Sequence, residues 1–511
     1  MNHIRLGCRI TKASTPDLNL GTVNNSIMTP SREKKDLVVF WIILVLLTLL
    51  SPLRQFAQNS YHVNTRNGKT TVRVNNRMTK FTLEYEGDIT VSDDDKDIVD
   101  ISRGGYIEIS KSAFGSKRRI VIESTGSGGL DKAYFVGSRK QAFEPEGKKW
   151  LAEVLPEVVR TTTFAATSRV DRFYRKGGVA SVLDEIEELE SDYVRRHYFD
   201  LLLDKGLSGQ EVVQTIEAAG ELMGSDHYLA EFLKGNQQDF LSNAQTTTAF
   251  LNAAKSLGSD HYMTEVLKRA IDDSDVSDAQ LVQLFEVAED IASDHYLSVL
   301  LKKVIDERRL STQTVNELIR LTGEISSDHY KTEVLRRALS EEDLSESNYN
   351  AFIESLDDIA SDHYSMQVIN DLLEEDLDSE SLSKILELVE ENVSSDHYAH
   401  EIMKKVIQEQ ELTGKSLETF IEGLESINSD HYLMEVIKRF GANRSLTESQ
   451  MLKILEATKN ISSDHYHAST LVILAPRVRA LGGRVVSAYR EAAKSIGSDT
   501  YYGKALKALD R

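Results

Sequence analysis

The tetrapeptide Ser-Asp-His-Tyr occurs eight times in this chain, and each copy begins 34 residues after the one before. The copies are Ser225-Asp226-His227-Tyr228, Ser259-Asp260-His261-Tyr262, Ser293-Asp294-His295-Tyr296, Ser327-Asp328-His329-Tyr330, Ser361-Asp362-His363-Tyr364, Ser395-Asp396-His397-Tyr398, Ser429-Asp430-His431-Tyr432 and Ser463-Asp464-His465-Tyr466. One step back lies the variant at Ser191-Asp192, and 35 residues beyond the last copy lies the degenerate Ser498-Asp499-Thr500-Tyr501. A fixed period of this length means a stack of like supersecondary units, because no single unit buries its apolar face without neighbours. About ten units are expected.

The residue two before each Ser is apolar, from Leu189 and Met223 through Ile325 to Ile496, and closes a preceding helix. After the Ser, apolar residues recur at plus three, seven, eight and eleven, as in Tyr262, Val266, Leu267 and Ala270, the spacing of one buried helical face. The motif therefore reads as a helix start, with Ser capping the first turn through its hydroxyl and Asp facing the positive helix end. Leu207-Ser208, Val276-Ser277, Leu310-Ser311, Leu344-Ser345 and Leu446-Thr447 open the other helix of each unit. Ser208 with Glu211, Ser277 with Gln280 and Thr447 with Gln450 have capping-box spacing. Each unit is thus a helical hairpin. The Trp, Leu-Gly and Tyr pattern of tetratricopeptide repeats is missing, so the expectation is a right-handed, HEAT-like α-solenoid.

Eight aligned Ser, Asp and His residues invite a catalytic or metal reading. Packed helices about 8–10 Å apart hold successive imidazoles too far from one another to share a zinc ion bound at about 2 Å. No His-Glu-x-x-His, Gly-x-Ser-x-Gly or phosphate loop is present. The motif is therefore read as architecture, with no catalytic, cofactor-binding or metal residue assigned and no cofactor expected. The histidines have partners at i,i+4 in Glu231, Glu265, Glu333, Glu401 and Glu435. A pH-responsive imidazole ladder is the rival. Basic pairs late in the same helices, such as Lys268-Arg269, Arg336-Arg337 and Lys404-Lys405, suit the negative helix end, with a stripe for an acidic partner as the sharper alternative.

Taken in order, residues 1–36 are polar, hold Cys8, the sole cysteine, and read as disordered, with Met28 as an alternative start. Residues 37–57 form a signal peptide or membrane anchor: Leu37–Leu50 is apolar but for Thr48, follows Arg32, Lys34 and Lys35, and is short for a span of about 20 residues. In residues 58–143 the period changes to two, in short runs such as Phe81-Thr82-Leu83-Glu84-Tyr85 and Arg119-Ile120-Val121-Ile122. This is a small all-β domain. Its run Asp93-Asp94-Asp95-Lys96-Asp97 lacks EF-hand spacing and reads as a solvated turn. Residues 144–178 are expected to be a helical cap, with Pro156 kinking or splitting its first helix and Gly177-Gly178 stopping its second. Residues 179–511 are the repeats. The fold class is α+β multidomain.

The net charge is −21, and residues 1–140 carry +7, so −28 falls on residues 141–511. Such an acidic array disfavours generic nucleic-acid binding. The beaded hairpins resemble the Ser-Asp-Tyr-type helical repeats in tails of bacterial envelope proteins, including relatives of membrane-bound antirepressor metallopeptidases. Phe143-Glu144-Pro145-Glu146-Gly147-Lys148-Lys149-Trp150-Leu151 is similar to the lead-in to such tails. The β region is loosely similar to bacterial adhesin-like β domains. The peptidase's zinc motif and membrane helices are absent, so the resemblance brings no catalytic residue. It implies an exported, periplasmic or envelope protein that binds another envelope protein without catalysis, touching membrane only through residues 37–50 if these are uncleaved. The alternatives are an adhesive protein working through its β domain, and a hydrolase using the repeat Asp and His.

Overall fold

A computed structural model describes residues 60–75, 79–272, 276–341, 344–441 and 446–511. The expectations for residues 1–36 and 37–57, including Cys8, Met28 and the apolar run, lie outside the described residues. Nine strands come first: β1 (Ser60–Arg66), β2 (Lys69–Asn75), β3 (Thr79–Glu86), β4 (Ile89–Val91), β5 (Ile98–Ile101), β6 (Tyr106–Ala113), β7 (Ser116–Ser124), β8 (Leu130–Val136) and β9 (Arg139–Gln141). They form an antiparallel seven-stranded meander in the order β1-β2-β3-β6-β7-β8-β9, with β4 and β5 as a separate hairpin inserted after β3. The period of two puts Phe81 and Leu83, Ile107 and Ile109, and Ile120 and Ile122 on one buried face.

The first helix, α1 (Lys148–Thr161), covers that face with Trp150, Leu151, Val154, Leu155, Val158 and Val159. These join the sheet residues in one core, and the Trp150 ring lies 5.8 Å from that of Tyr134. Pro156 does not split α1. Its missing N–H falls inside a helix that keeps helical backbone throughout, an arrangement tolerated where tertiary packing holds the helix. The next helix, α2 (Ala166–Glu187), does break at Gly177-Gly178, where Gly178 has φ 64°. Its apolar residues belong to the second, much larger core that runs from Ala166 to Leu509. Residues 144–178 are therefore not one cap. α1 closes the sheet and α2 opens the helical array.

Among the described residues there are 22 α-helices, and beyond α2 they form a repeat-like array. Motif helices such as Asp260–Asp272, Asp294–Glu307 and Asp328–Glu341 pack side by side, and first helices such as Asp278–Ala288 and Thr312–Thr322 pack in a parallel layer. The apolar residue two before each motif is buried almost throughout, as at Leu257, Ile325 and Ile427. The capping boxes form: the N–H of Ser208 donates to Glu211 Oε2 at 2.8 Å, that of Ser277 to Gln280 Oε1 at 2.8 Å, and that of Thr447 to Gln450 Oε1 at 2.9 Å.

Buried imidazoles give the array a pH dependence of its own. His467 is 1% exposed, with its Nε2 unpartnered and its Nδ1 3.4 Å from Ser495 Oγ. Burial lowers its pKa below the ordinary 6.5, although Asp464 and Asp430 pull the other way. The unfolded chain therefore takes up a proton near pH 6.5 that the folded chain refuses. Stability falls as the pH drops below that value, by at most about 1.4 kcal/mol per pH unit, until the folded imidazole titrates. Thermal melts of His467→Met are expected to lose part of the acid-side decline that the parent shows between about pH 6.5 and 5. An unchanged slope would assign it to other groups, such as His197 and His400, which burial also lowers.

Candidate functional site

The motif residues are largely engaged with neighbouring units. Ser225, Ser293, Ser361, Ser395 and Ser463 occupy the N-cap position with ψ between 113° and 117°, and none makes a side-chain cap hydrogen bond. The first-helix caps Ser208, Ser277, Ser311 and Ser345 have ψ of 159° to 164°. The expected hydroxyl cap is thus replaced by another arrangement, in which the motif backbone turns its N–H groups toward the preceding unit. There the Asp carboxylate receives them. Asp294 Oδ1 and Oδ2 accept from the N–H of Ser326 and Ser327 at 3.0 and 2.9 Å, and Asp430 accepts from Ser462 and Ser463 at 2.9 and 2.8 Å. Single bonds of the same kind run from Gly258 to Asp226, Ser293 to Asp260, Ser361 to Asp328, Ser395 to Asp362, Asn428 to Asp396 and Gly497 to Asp464. Two orphan donors at a helix entrance meet an anion from the neighbouring unit.

His and Tyr form a second unit-to-unit ladder. Each motif His ring lies 5.0–5.5 Å from its own Tyr and 5.6–6.0 Å from the Tyr of the next unit, from His227 with Tyr228 and Tyr262 to His465 with Tyr466 and Tyr501. The tyrosines are half-buried and the histidines exposed. The ladder continues backwards through Tyr193 to Tyr61 of β1, whose rings are 5.2 Å apart. Of the five expected His–Glu pairs, only His329–Glu333 comes within ion-pair distance, at 3.5 Å. The glutamates pair with lysines instead: Glu231 with Lys234, Glu265 with Lys268, Glu401 with Lys404, Glu435 with Lys438, and Glu333 with Lys302 of the preceding unit. An ammonium on a flexible stem reaches carboxylates that four of the five imidazoles, each held between two tyrosine rings, do not. The basic stripe is partly neutralised in the same way, with Arg336 on Asp371, Arg337 on Asp306 and Lys405 on Glu374.

The acidic run of the β domain is solvated at Asp93, Asp94 and Lys96, but Asp95 is buried. Ser92 Oγ ties the run by accepting from the N–H of Lys96 and Asp97, and Asp95, at φ 57°, is pushed against α2. Asp95 Oδ2 accepts from Arg169 Nε and Nη2 at 3.0 and 2.9 Å, and its Oδ1 from Arg172 Nη2 at 2.8 Å. Arg169 is 1% exposed and also reaches Glu185 Oε1 at 2.6 Å and the Tyr198 hydroxyl. Arg160 of α1 meets Glu185 from the other side at 3.1 Å. The sheet, its covering helix and the array are therefore joined by one buried charge network. Reading the sequence missed Arg169, whose partner lies 74 residues away with no local mark of the contact.

The first-helix layer carries a different surface. Glu286, Glu354, Asp358, Glu390, Glu391 and Glu425 are exposed there, with no ion pair among the described residues. Glu354 and Asp358 line a hollow of about 540 Å³ with Asn316, Arg320 and Asn350, between helices Thr312–Thr322 and Glu346–Ser355. Among the described residues no three His, Cys, Asp or Glu side chains form a metal-binding group, and no helix is long and apolar enough to cross a membrane.

No protein-family model and no curated protein matches this chain. Two solved structures are similar to parts of it. A computationally designed self-assembling cyclic homooligomer is 12% identical, over 63% of this chain and 98% of that one, with a TM-score of 0.11. A circular tandem repeat protein with a new repeat topology and enhanced subunit contact surfaces is 11% identical, over 72% of this chain and 78% of that one, with a TM-score of 0.14.

Proposed function

We propose that this chain is an exported, non-catalytic interaction scaffold, a right-handed α-solenoid of about ten 34-residue hairpins that receives a basic segment of another envelope protein on its first-helix face. One observation carries the reading. The motif Asp and Tyr are consumed in holding unit to unit, whereas several carboxylates of the first-helix layer remain exposed and, among the described residues, unpaired, as at Glu286, Glu354, Glu390, Glu391 and Glu425. Variable positions on a regular stack are where repeat arrays keep their partners. Like charges gathered on one layer steer an opposite charge from a distance. If Leu37–Leu50 is retained as an anchor, the same scaffold becomes a membrane-tethered sensor.

The test is capture from detergent-solubilised envelopes, with residues 166–511 compared against a variant carrying Glu286→Lys, Glu354→Lys, Glu390→Lys and Glu391→Lys. A β-domain bait has to run from residue 60 to residue 165, because α1 belongs to its core. The expected result is one stoichiometric partner on the parent array, released by salt, with affinity for the variant weaker by about 100-fold or more. A partner that the variant retains, or that only the β bait captures, would overturn the reading.

A further inference from the structure

The β domain has two chemically opposite ends, and the strand register places them. Tyr106 pairs with Glu86 and Glu123, and Glu123 with Asp131, so the acidic residues gather at the end of the sheet that also leads into the Asp93–Asp97 turn. That end is joined to the helical array through Arg169 and Arg172. At the opposite end, about 25 Å away along eight-residue strands, Ala113 pairs with Ser116 and Val136 with both Arg118 and Arg139. The β6–β7 and β8–β9 turns thus lie side by side, linked by the N–H of Gly137 donating to Lys117 O at 2.7 Å. The two turns present Phe114, 87% exposed, and Val136, 41% exposed. Around them stand Lys80, Lys117, Arg118, Arg139 and Lys140, all exposed and none in an ion pair among the described residues. Behind them a hollow of about 270 Å³ is lined by Lys111, Arg118 and Trp150. Glu157 neutralises Lys111, and Glu144 pairs with Lys148 at 3.6 Å, which leaves the five cations without a carboxylate partner among the described residues.

We infer that these paired turns are a docking tip for an anionic lipid surface, with Phe114 and Val136 entering the headgroup–acyl boundary and the cations meeting the lipid phosphates. A large apolar side chain held on the crest of a convex turn and ringed by positive charge matches what a charged bilayer offers. A protein partner is more commonly met by a recess or a flat patch with its apolar centre in contact. Position agrees with chemistry. Ser60 pairs with Asn75 at this same end of the sheet, so the chain arriving from the apolar run enters here. The nine residues between Leu50 and Ser60, ten backbone steps, span at most about 35 Å. The tip stands independently of the scaffold reading, and of whether the apolar run is cleaved.

The experiment uses residues 60–511, which contain both cores among the described residues and lack the apolar run that would bind lipid unaided. Co-sedimentation is measured with phosphatidylcholine vesicles, with and without about 30 mol % phosphatidylglycerol. Binding is expected only to the anionic vesicles, and it weakens as salt rises from about 0.1 to 0.5 M. Phe114→Asn, chosen because Asn tolerates the φ of 48° at this position, is expected to weaken binding by about tenfold or more. Lys117→Gln with Arg118→Gln is expected to weaken it by about 30-fold. Phe114 sits in an exposed turn and Lys117 and Arg118 are exposed side chains at the start of β7, and unchanged circular dichroism confirms that the variants fold. Equal binding to neutral vesicles, no binding to either, or anionic binding untouched by Phe114→Asn would overturn the inference. So would full competition by heparin that does not depend on Phe114, which would assign the cations to a soluble polyanion.

Discussion

Replacing Arg169 by alanine is expected to cost about 3–5 kcal/mol of stability, because it leaves Asp95 and Glu185 facing one another without their shared cation in a buried site. Burial opposes the guanidinium's charge, but Tyr198, Asp95 and Glu185 outweigh that and hold its pKa above the ordinary value. Arg169→Lys keeps the charge but loses the planar fork that serves Asp95, Glu185 and Tyr198 together, so it should fall between the parent and alanine. The effect has a location as well as a size. In residues 60–511 Trp150 is the one tryptophan, and it sits in the core shared by sheet and α1. Its fluorescence reports the β domain while helical circular dichroism reports the array. The two urea midpoints are expected to coincide in the parent and to separate in Arg169→Ala, with Trp150 released first. Coincident midpoints in the variant would place the coupling in apolar contacts such as the Tyr61–Tyr193 stack.

Asp294→Ala is the second large effect, expected at about 2–3 kcal/mol. The carboxylate accepts two backbone N–H groups of the following unit, and bonds to a charged acceptor contribute about 1.5–3 kcal/mol each. Ser326 is exposed, so water recovers part of the loss. Because each unit of a linear stack touches only its neighbours, a break in mid-array should divide unfolding into two steps. Hydrogen exchange is the readout, with the helices on the two sides of the Asp294–Ser327 joint, Asp260–Asp272 and Asp328–Glu341, losing protection separately. His329→Gln provides the contrast. Its ring is about half exposed, and the change should stay within about 0.5 kcal/mol. A single cooperative transition in Asp294→Ala, or a loss in His329→Gln as large as that in Asp294→Ala, would show that the Asp contacts do not hold the stack together.

The elements and much of the patterning were legible in the chain. A spacing of 34 residues, apolar positions at plus seven, eight and eleven, and the capping boxes at Ser208, Ser277 and Thr447 are local patterns, and the helices follow them. The change to a period of two likewise foretold the inward residues Leu83, Ile109 and Ile122. The readings that failed involved a partner lying elsewhere. The residue type of the motif Ser points to a hydroxyl cap, but at Ser293 the torsion ψ is 114° with no cap bond, and its N–H meets Asp260 of the preceding unit. The His–Glu spacing is right, but only His329 and Glu333 come into contact, because lysines at i,i+3 or in the preceding unit take the same carboxylates.

By itself, then, the sequence determined where helices and strands form, which faces are apolar and that the helical units must stack, since those properties reside in residues a few positions apart. Only the tertiary structure decided that α1 belongs to the sheet, that Asp95 is buried on Arg169, and that Phe114 and Val136 share one basic tip. Each of those depends on groups brought together by packing across tens of residues, and the local free-energy preferences that pattern a helix or strand carry no record of which distant group will meet it.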